Sequence, residues 1–338
     1  MPLKRRWSRL HPSWSNAFEA ALEAAVIDAK SQDSTVVDSL AYHFGFDPYG
    51  PARTGKRLRP RMVALSAEAF GAEPSLWLPA ATGIELLHNY SLIHDDIEDQ
   101  DEFRHGRPTL WKRIGIAQAL NAGDALCALS FLALMRVDAR IHSEVALAMV
   151  RRLHQAHRIM CDGQALDIAF ERERHVEIAR YRAMIGYKTA ALFATSAELG
   201  VMSARNRDEN DRDVRAYYDA GFAYGMAFQL RDDLLGIWAD ADMTGKAVAH
   251  DVARRKWSYP VVWALAQEPS AARAAIEEAY GKMCPLDAED VERVVAALDS
   301  MGARDALEAE ILTRTQAVAG FAADAMAAFA SQTLASPP

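Results

Sequence analysis

A line of polar side chains on an otherwise apolar helix constrains this chain more than any other feature of its sequence. Between residues 76 and 101 the apolar side chains recur with the helical period, which predicts an amphipathic helix. At spacings of three and four residues, one face of that helix carries His88, Ser91, Asp95 and Asp99. Two carboxylates one turn apart repel each other by roughly 3 kcal/mol at ~5 Å and an effective dielectric near 20, so another group must offset this repulsion.

Shared protons, buried arginines, solvent or a divalent cation could each provide that offset. Asp96 and Glu98 add negative charge to the same stretch, and the loop that follows supplies Arg104, His105 and Arg107. Because a hard cation prefers oxygen ligands and cationic side chains bind anions, this combination favours a Mg²⁺-dependent site for a phosphate ester. A solvated acidic helix end is the alternative interpretation of the same residues.

The composition predicts an all-α protein with one large domain. The chain has 338 residues and no low-complexity linker, half of the residues are hydrophobic, and Gly and Pro mostly separate the apolar-periodic runs. We expect a basic tail at 1–14, a helical domain at 15–332 and a short tail at 333–338. A net charge of −8 argues against a general nucleic-acid binder and gives an anionic substrate no help from the overall field.

The cysteines and the N-terminal residues indicate a reducing compartment and a soluble protein. Cys127, Cys161 and Cys284 are odd in number and lie far apart in apolar patterns, so we expect small core residues rather than disulfides or a zinc site. No apolar run follows the basic N-terminal residues, and no stretch reaches the ~20 uninterrupted apolar residues of a membrane span. The expectation is a cytoplasmic protein without a membrane span.

Three further stretches contain polar or apolar patterns that bear on the fold and on the site. Lys56 and Arg59 lie three apart at a predicted helix start, where backbone N–H groups also favour an anion, although a solvated basic surface has the same pattern. Residues 116–137 are apolar nearly all round, which predicts a buried helix. His154 and His157 also lie three apart, but no further ligand cluster follows, so we interpret them as histidines of a helix surface.

A second acidic pair on a second apolar helix repeats the opening pattern. Gln229, Asp232 and Asp233 lie among the apolar side chains of residues 222–238. The following segment, 239–258, is polar and rich in lysine and arginine, and we expect a loop that can close over a site.

These motifs occur together in a known family. Asp95 and Asp232 begin two aspartate-rich motifs about 137 positions apart, with a Gly-Lys-x-x-Arg upstream of the first motif. A Lys-Thr pair at Lys188 lies between them, and a basic loop follows the second. In this order and spacing the chain resembles the trans-isoprenyl diphosphate synthases, the polyprenyl synthetase family, from about residue 15 to 330.

The resemblance implies a helical bundle of the isoprenoid synthase type around a central apolar cavity. It implies a Mg²⁺-dependent prenyltransferase that condenses isopentenyl diphosphate with an allylic diphosphate by ionisation, condensation and elimination. The product would be a short all-trans prenyl diphosphate, with C20 favoured and C15 next. Three Mg²⁺ per active site are expected, with Mn²⁺ as a possible substitute, in a homodimer.

The resemblance also assigns roles to individual residues. The metal-binding and metal-supporting positions are Asp95, Asp96, Asp99, Asp167, Asp232 and Asp233, with Gln164 and Gln229 in support. The allylic diphosphate would be contacted by Arg104, Lys188, Thr189, Lys246 and Lys256, and the isopentenyl diphosphate by Lys56, Arg59, His88 and His105. The positions expected to take part directly in the reaction are Asp95, Asp99, Arg104, Lys188, Asp232 and Lys246. Tyr90 and Ser91 match positions that set the product length.

The chain departs from the family pattern twice. His105 stands where the family usually has a second arginine, which would weaken the grip on isopentenyl diphosphate unless Arg107 compensates. Gly236 stands where the second motif usually ends in aspartate, one turn after Asp232. We expect lower metal affinity there, with the outer hydrogen bonds supplied from elsewhere, for example by Asp240.

Two other functions fit part of the pattern. One is a relative of the terpene synthases that ionises a prenyl diphosphate without elongating it, which His105 would permit. The other is a non-catalytic partner subunit of a prenyl synthase. Such a subunit would be expected to lose aspartates of the first motif, and this chain keeps Asp95, Asp96 and Asp99.

Overall fold

The computed structural model describes residues 13–335 except 29–34, 47–54, 240–248, 283, 285 and 322–323. Two positions singled out by sequence, Lys246 and Asp240, lie outside the described residues, and so do residues 1–12 and 336–338 of the two predicted tails.

The described part of the chain is built from α-helices. In chain order they are α1 Ser13–Ile27, α2 Thr35–Phe44, α3 Leu58–Glu68, α4 Pro74–Glu98, α5 Leu110–Ile114, α6 Ile116–Leu134, α7 Ser143–Phe170, α8 Ile178–Ile185, α9 Ala191–Arg205, α10 Arg212–Trp238, α11 His250–Ala253, α12 Tyr259–Leu265, α13 Ala271–Tyr280, α14 Ala288–Ser300, α15 Ala303–Phe321 and α16 Asp324–Ala335. A π-helical turn, Gly186–Ala190, joins α8 to α9. Two antiparallel strands, β1 Phe103–Arg104 and β2 Arg107–Pro108, are the only β-structure that the described residues contain. The all-α prediction is confirmed.

The helix with the acidic face is α4. It begins at Pro74, where proline occupies the first helical position and needs no hydrogen-bond acceptor, and it ends at Glu98 with Asp99 as the C-terminal cap. The sequence had predicted a helix from 76 to 101, so the pattern located both ends to within three residues.

The chain divides into two compact units. Unit 1 consists of Met1–His157 and Thr195–Tyr218, and unit 2 of Arg158–Ala194 and Asp219–Pro338. In unit 1 the fully buried side chains include Phe18 of α1, Met62 of α3 and Trp77 of α4. The core of unit 2 includes Tyr181 of α8 and Leu230 of α10. The prediction of one large domain at 15–332 remains a prediction.

The prediction that residues 116–137 are buried was wrong for one face of α6. Ala122 and Leu126 are fully buried, whereas Ile116, Leu120 and Leu132 are 53%, 41% and 54% exposed. A helix that is apolar on every side does not reveal in sequence whether each side packs within the chain or against something else. By length and composition α6 could also cross a membrane, which by itself is weak evidence for a span.

The prediction for the cysteines was also wrong in part. Cys161 and Cys284 are exposed, and Cys127 is half-buried, so none of them is a fully buried core residue. No disulfide joins these three residues, all of which the structure describes.

Replacing Gly200 with alanine should destabilise the protein. Gly200 of α9 lies against α3, where a Cβ atom would overlap the carbonyl oxygen of Val63 and lie 2.8 Å from Cβ of Ser66. Backbone cannot yield as a flexible side chain does, so we expect a loss of ~1–3 kcal/mol in the free energy of unfolding, measured by urea denaturation. Gly320→Ala, where nothing lies within 4 Å, is the matched control and should be neutral or gain up to ~1 kcal/mol. Equal stability of the two variants would contradict the close packing of α9 on α3.

Candidate functional site

The first acidic motif contains one buried carboxylate and two partly exposed ones. Asp96 is 3% exposed, and both Nε and Nη2 of Arg104 donate to its Oδ1, at 2.8 and 2.7 Å. Burial raises the pKa of Asp96, and the hydrogen bonds and charge of Arg104 act in the opposite direction. The ion pair between Asp96 and Arg104 therefore links the β1 strand to the end of α4, and it uses an oxygen of the Asp96 carboxylate.

Asp95 and Asp99 are the partly exposed carboxylates of this motif. The backbone N–H of Asp99 donates to the carbonyl of Asp95 at 2.8 Å, so the two residues are one helical turn apart, as the sequence predicted. Among the residues that the structure describes, no three Asp, Glu, His or Cys side chains form a metal-binding group by themselves. Mg²⁺ is commonly held by one or two carboxylates together with substrate phosphates and water, and Asp95 and Asp99 fit that arrangement.

Two imidazoles of unit 1 lie among guanidinium groups. Nη1 of Arg59 donates to Nε2 of His88 at 3.0 Å, and His43 donates to Oδ1 of Asn89 at 3.0 Å. Burial and the charges of Arg59 and Arg104 hold the pKa of His88 well below its usual value. Burial, together with Arg104 and other cationic neighbours, lowers the pKa of His43 to about 4. Both rings are neutral at pH 7, and the positive charge in this region belongs to the arginines.

The basic cluster before α3 divides into structural and accessible residues. Arg57 adopts a left-handed backbone conformation with φ of 50°, and its guanidinium donates to Glu19 at 2.9 Å and to Glu85 at 2.6 Å. Lys56, by contrast, is exposed, and Arg59 reaches His88. Of the basic residues here, Arg57 holds α1 and α4 together, and Lys56 and Arg59 remain candidates for binding an anion.

His105 occupies a restricted backbone position. It forms with Gly106 the two-residue turn between β1 and β2, and their φ values are 52° and 79°. A turn with positive φ at both central residues matches the twist of a short hairpin, and histidine enters this region more readily than most side chains. Arg107, the proposed compensating residue, lies with its guanidinium 4.0 Å from the ring centre of Tyr42.

In unit 2 the Lys-Thr pair lies in the π-helical turn. Nζ of Lys188 donates to Oδ2 of Asp167 at 2.6 Å, and Oγ1 of Thr189 donates to Oε1 of Gln229 at 2.8 Å. Gly163, one turn before Asp167 on α7, lies so near the backbone of Lys188 that a Cβ atom would overlap it. Close approach of α7 to this turn therefore brings Lys188 and Asp167 together. Irregular π turns often occur at functional sites.

The second acidic pair also divides into a buried and an exposed residue. Asp233 is 1% exposed and accepts from the hydroxyl of Tyr181 and from the backbone N–H of Tyr259 at 2.7 Å. Burial raises the pKa of Asp233 to about 7, although Lys256 and these hydrogen bonds oppose the shift. Asp232 is exposed and so is accessible to a ligand.

A further acid, Asp251, lies beside Gly236. A Cβ atom on Gly236 would overlap the carboxylate of Asp251, which is a largely buried residue. Burial by itself would lower the pKa of Lys256, but the charges of Asp251, Asp233 and other acids raise it, so its ammonium stays charged. Asp251 thus occupies space on the turn of α10 that follows Asp232, where the second motif lacks an aspartate.

The two positions matched to product length lie on α4. Tyr90 and Ser91 are both half-buried, and Oγ of Ser91 donates to the carbonyl of His88 at 2.8 Å. The ring of Tyr90 contacts the rings of His94 and His157.

Sequence reasoning missed several residues of these clusters. Asp251, Tyr181 and Tyr259 escaped notice because an acid inside a basic loop and two tyrosines in apolar patterns carry no motif. His43 was missed because its partners are distant in sequence. The isolated polarity of His43 in the apolar run of α2 was the one available signal.

Replacing His43 with glutamine should flatten the pH dependence of stability between pH 4 and 6.5. The pKa of His43 falls from 6.5 to about 4 on folding. Its contribution to the free energy of unfolding is therefore fully present above pH 6.5 and is lost as the pH falls towards 4. Below pH 6 the slope from this group approaches ~1.4 kcal/mol per pH unit. Urea denaturation at several pH values measures it. His175→Gln, at an exposed position, is the control and should keep the wild-type slope. An unchanged slope in His43→Gln would contradict the neutral, buried state of this ring.

Comparison with known proteins shows which family the chain is similar to. The sequence model of the polyprenyl synthetase family matches residues 48–298. The (2E,6E)-farnesyl diphosphate synthase of Mycobacterium tuberculosis is 42% identical over 238 residues, which are 69% of this chain and 64% of that protein, just under two thirds of its length. The geranylgeranyl diphosphate synthase of the same organism is 35% identical over 278 residues, 81% of this chain and 77% of that protein.

Solved structures show the same fold. A polyprenyl synthetase from Streptomyces coelicolor A3(2) superposes with a TM-score of 0.83 at 34% identity, covering 94% of this chain and 97% of that chain. Because the family model matches most of the chain, this protein belongs to the polyprenyl synthetase family.

Proposed function

We propose that this protein is a Mg²⁺-dependent prenyltransferase that joins isopentenyl diphosphate to an allylic diphosphate. The observation that carries the proposal is the state of the first motif. Asp95 and Asp99 stay partly exposed on one turn of α4, while Asp96 is committed to Arg104. Relatives named farnesyl and geranylgeranyl diphosphate synthases support the same activity.

The carboxylates fit Mg²⁺ by their chemistry. Asp95 and Asp99 in unit 1, and Asp232 in unit 2, offer hard oxygen ligands with access to solvent, whereas Asp96 and Asp233 are buried and hydrogen-bonded. We therefore assign direct metal binding to the accessible acids and positioning roles to the buried ones. When bound, Mg²⁺ would supply positive charge to the diphosphate that leaves.

Cationic side chains of the chain would hold the diphosphate groups. Lys188 and Lys256 are charged and lie among acids, so they are already oriented before an anion arrives. For isopentenyl diphosphate we propose Lys56, Arg59 and neutral His88, because the hydrogen bond from Arg59 to Nε2 leaves the ring proton on Nδ1. Lys246 keeps its proposed role at the allylic diphosphate, although it lies outside the described residues.

The reaction needs no protein nucleophile. Loss of diphosphate from the allylic substrate leaves a delocalised cation, which the double bond of isopentenyl diphosphate attacks. The new carbon-carbon bond forms as the cation is consumed, and the departed diphosphate accepts the proton that restores a double bond. The protein contributes by holding positive charge where negative charge develops, a large term in many enzymes.

Product length, assembly and location are parts of the same proposal. We propose a C20 product, with C15 as the next candidate, and Tyr90 and Ser91 as the residues that limit its length. The exposed apolar residues Ile116, Leu120 and Leu132 on α6 support a homodimer, since a second copy would cover them. We place the enzyme in the cytoplasm.

Incubation with Mg²⁺, labelled isopentenyl diphosphate and dimethylallyl, geranyl or farnesyl diphosphate tests the activity. We expect label in a prenyl diphosphate, no turnover without Mg²⁺, and a fall in kcat of at least ~100-fold in Asp99→Asn, since a metal ligand is lost. Glu98→Gln, an exposed neighbour on the same helix, is the matched control and should stay within ~3-fold of wild type. Diphosphate release without label in the product would instead indicate a terpene-synthase-like reaction, and no turnover with any primer would indicate a non-catalytic subunit.

Asp251 should support metal binding in place of an acid at position 236. Asp251→Asn removes the charge, and Gly236→Ala displaces the carboxylate because the new Cβ atom would overlap it. Outer-shell changes of this kind typically weaken metal affinity 10- to 100-fold, so we expect ~10-fold more Mg²⁺ to be needed for half-maximal pyrophosphate binding, measured by calorimetry. Gly320→Ala is the control. If both variants needed no more Mg²⁺ than the wild type, Asp251 would have no such role.

A further inference from the structure

A group of aromatic and imidazole side chains in unit 1 has no part in diphosphate binding as described above. It joins three helices and consists of Tyr90 and His94 of α4, Cys127 and Phe131 of α6, and His154 and His157 of α7. We call it the imidazole cluster.

Tyr90 is the member that the proposed function places beside the growing chain. Its ring packs edge to face on His157, with ring centres 5.1 Å apart and an interplanar angle of 87°. The ring of His94 also lies near Tyr90, with ring centres 4.7 Å apart and an interplanar angle of 59°. Tyr90 and His94 are one turn apart on the same helix, whereas His157 contacts Tyr90 from α7.

His157 is itself held from α6. Its Nδ1 lies 3.7 Å from Sγ of Cys127, and its ring centre is 6.1 Å from that of Phe131. Phe131 in turn stacks on His154 with ring centres 3.6 Å apart and nearly parallel planes. The ring of His157 is therefore fixed between Tyr90 and α6, and His154 contacts Phe131 on the far side.

The His157 ring has a charge state that suits a hydrocarbon. Burial, with the neighbouring His154 and His94, lowers the pKa of His157, so its ring is neutral at pH 7. A neutral ring beside an apolar chain costs far less than a buried charge.

We propose that His157 is a positioning residue for product length, holding the Tyr90 ring across the path of the growing prenyl chain. The inference rests on the proposed prenyltransferase function and on Tyr90 as the limiting residue. Without the imidazole, the Tyr90 ring loses its support from α7 and can turn aside. The space vacated by the ring is comparable to one isoprene unit, whose length is about one helical turn, ~5 Å.

The test is the product distribution of four variants with geranyl diphosphate as primer. His157→Ala and His157→Val both remove the ring support and should shift the main product by one isoprene unit or more, with kcat for the first condensation within ~3-fold of wild type. His157→Phe keeps a flat ring and should keep the wild-type length. His154→Ala is the matched control: it removes the ring that stacks on Phe131 and keeps the His157 ring, so the product should keep its wild-type length.

Tyr90→Ala separates positioning from a general structural effect. Alone it should lengthen the product, and His157→Ala in the Tyr90→Ala background should add no further lengthening, because the two residues act through one ring. Wild-type product length in both His157→Ala and His157→Val, or equal lengthening in His154→Ala, would overturn the proposal. Absence of any prenyl product from the wild type would instead overturn the proposed function, so the two failures are distinguishable.

Discussion

The ion pair between Asp96 and Arg104 is the interaction on which the first acidic motif depends. Three aspartates within five residues of an apolar helix repel one another, and burial makes the charge on the middle one more costly. Arg104 compensates by donating twice to one carboxylate oxygen of Asp96. Breaking a buried pair of this kind typically costs ~3–5 kcal/mol, because the remaining charge is left without compensation. One aspartate thus stabilises the hairpin on α4, and Asp95 and Asp99 remain partly exposed.

In unit 2 a different set of donors stabilises the charge of a buried aspartate. Asp233 is buried and accepts from a tyrosine hydroxyl and a backbone N–H, so hydrogen bonds take the place of the arginine. Its neighbour Asp232 stays exposed. In both motifs, therefore, adjacent aspartates have opposite environments, and this follows from helix geometry, since neighbouring residues point about 100° apart. An Asp-Asp pair on an apolar helix supplies one anchoring carboxylate and one accessible carboxylate.

The sequence predicted the helices well because their apolar period is strong. The predicted helix at 76–101 corresponds to α4, Pro74–Glu98, with both ends within three residues. The aspartate pairs and the lysine of the π turn were predicted from motifs that are short and local. What sequence could not predict depends on contacts between distant residues. Asp251 lies 15 positions after Gly236, and only the folded chain brings its carboxylate to the space that glycine leaves. In sequence, Arg57 cannot be distinguished from the basic residues around it. In the structure its backbone is left-handed and its guanidinium donates to Glu19 and Glu85.

The hairpin retains positive charge although His105 stands where the resemblance implies a second arginine. Arg104 and Arg107 are paired across β1 and β2, so two cations remain on the hairpin itself. Burial lowers the pKa of His43 and of His88, and the charge of Arg104 contributes to both shifts. An imidazole that is kept neutral by nearby cations gains a proton more easily when an anion screens those cations. An anion bound near these cations would therefore raise the pKa of both rings. Histidine at position 105 supplies fewer donors and less positive charge than an arginine would, so Arg104 and Arg107 provide the positive charge of the hairpin.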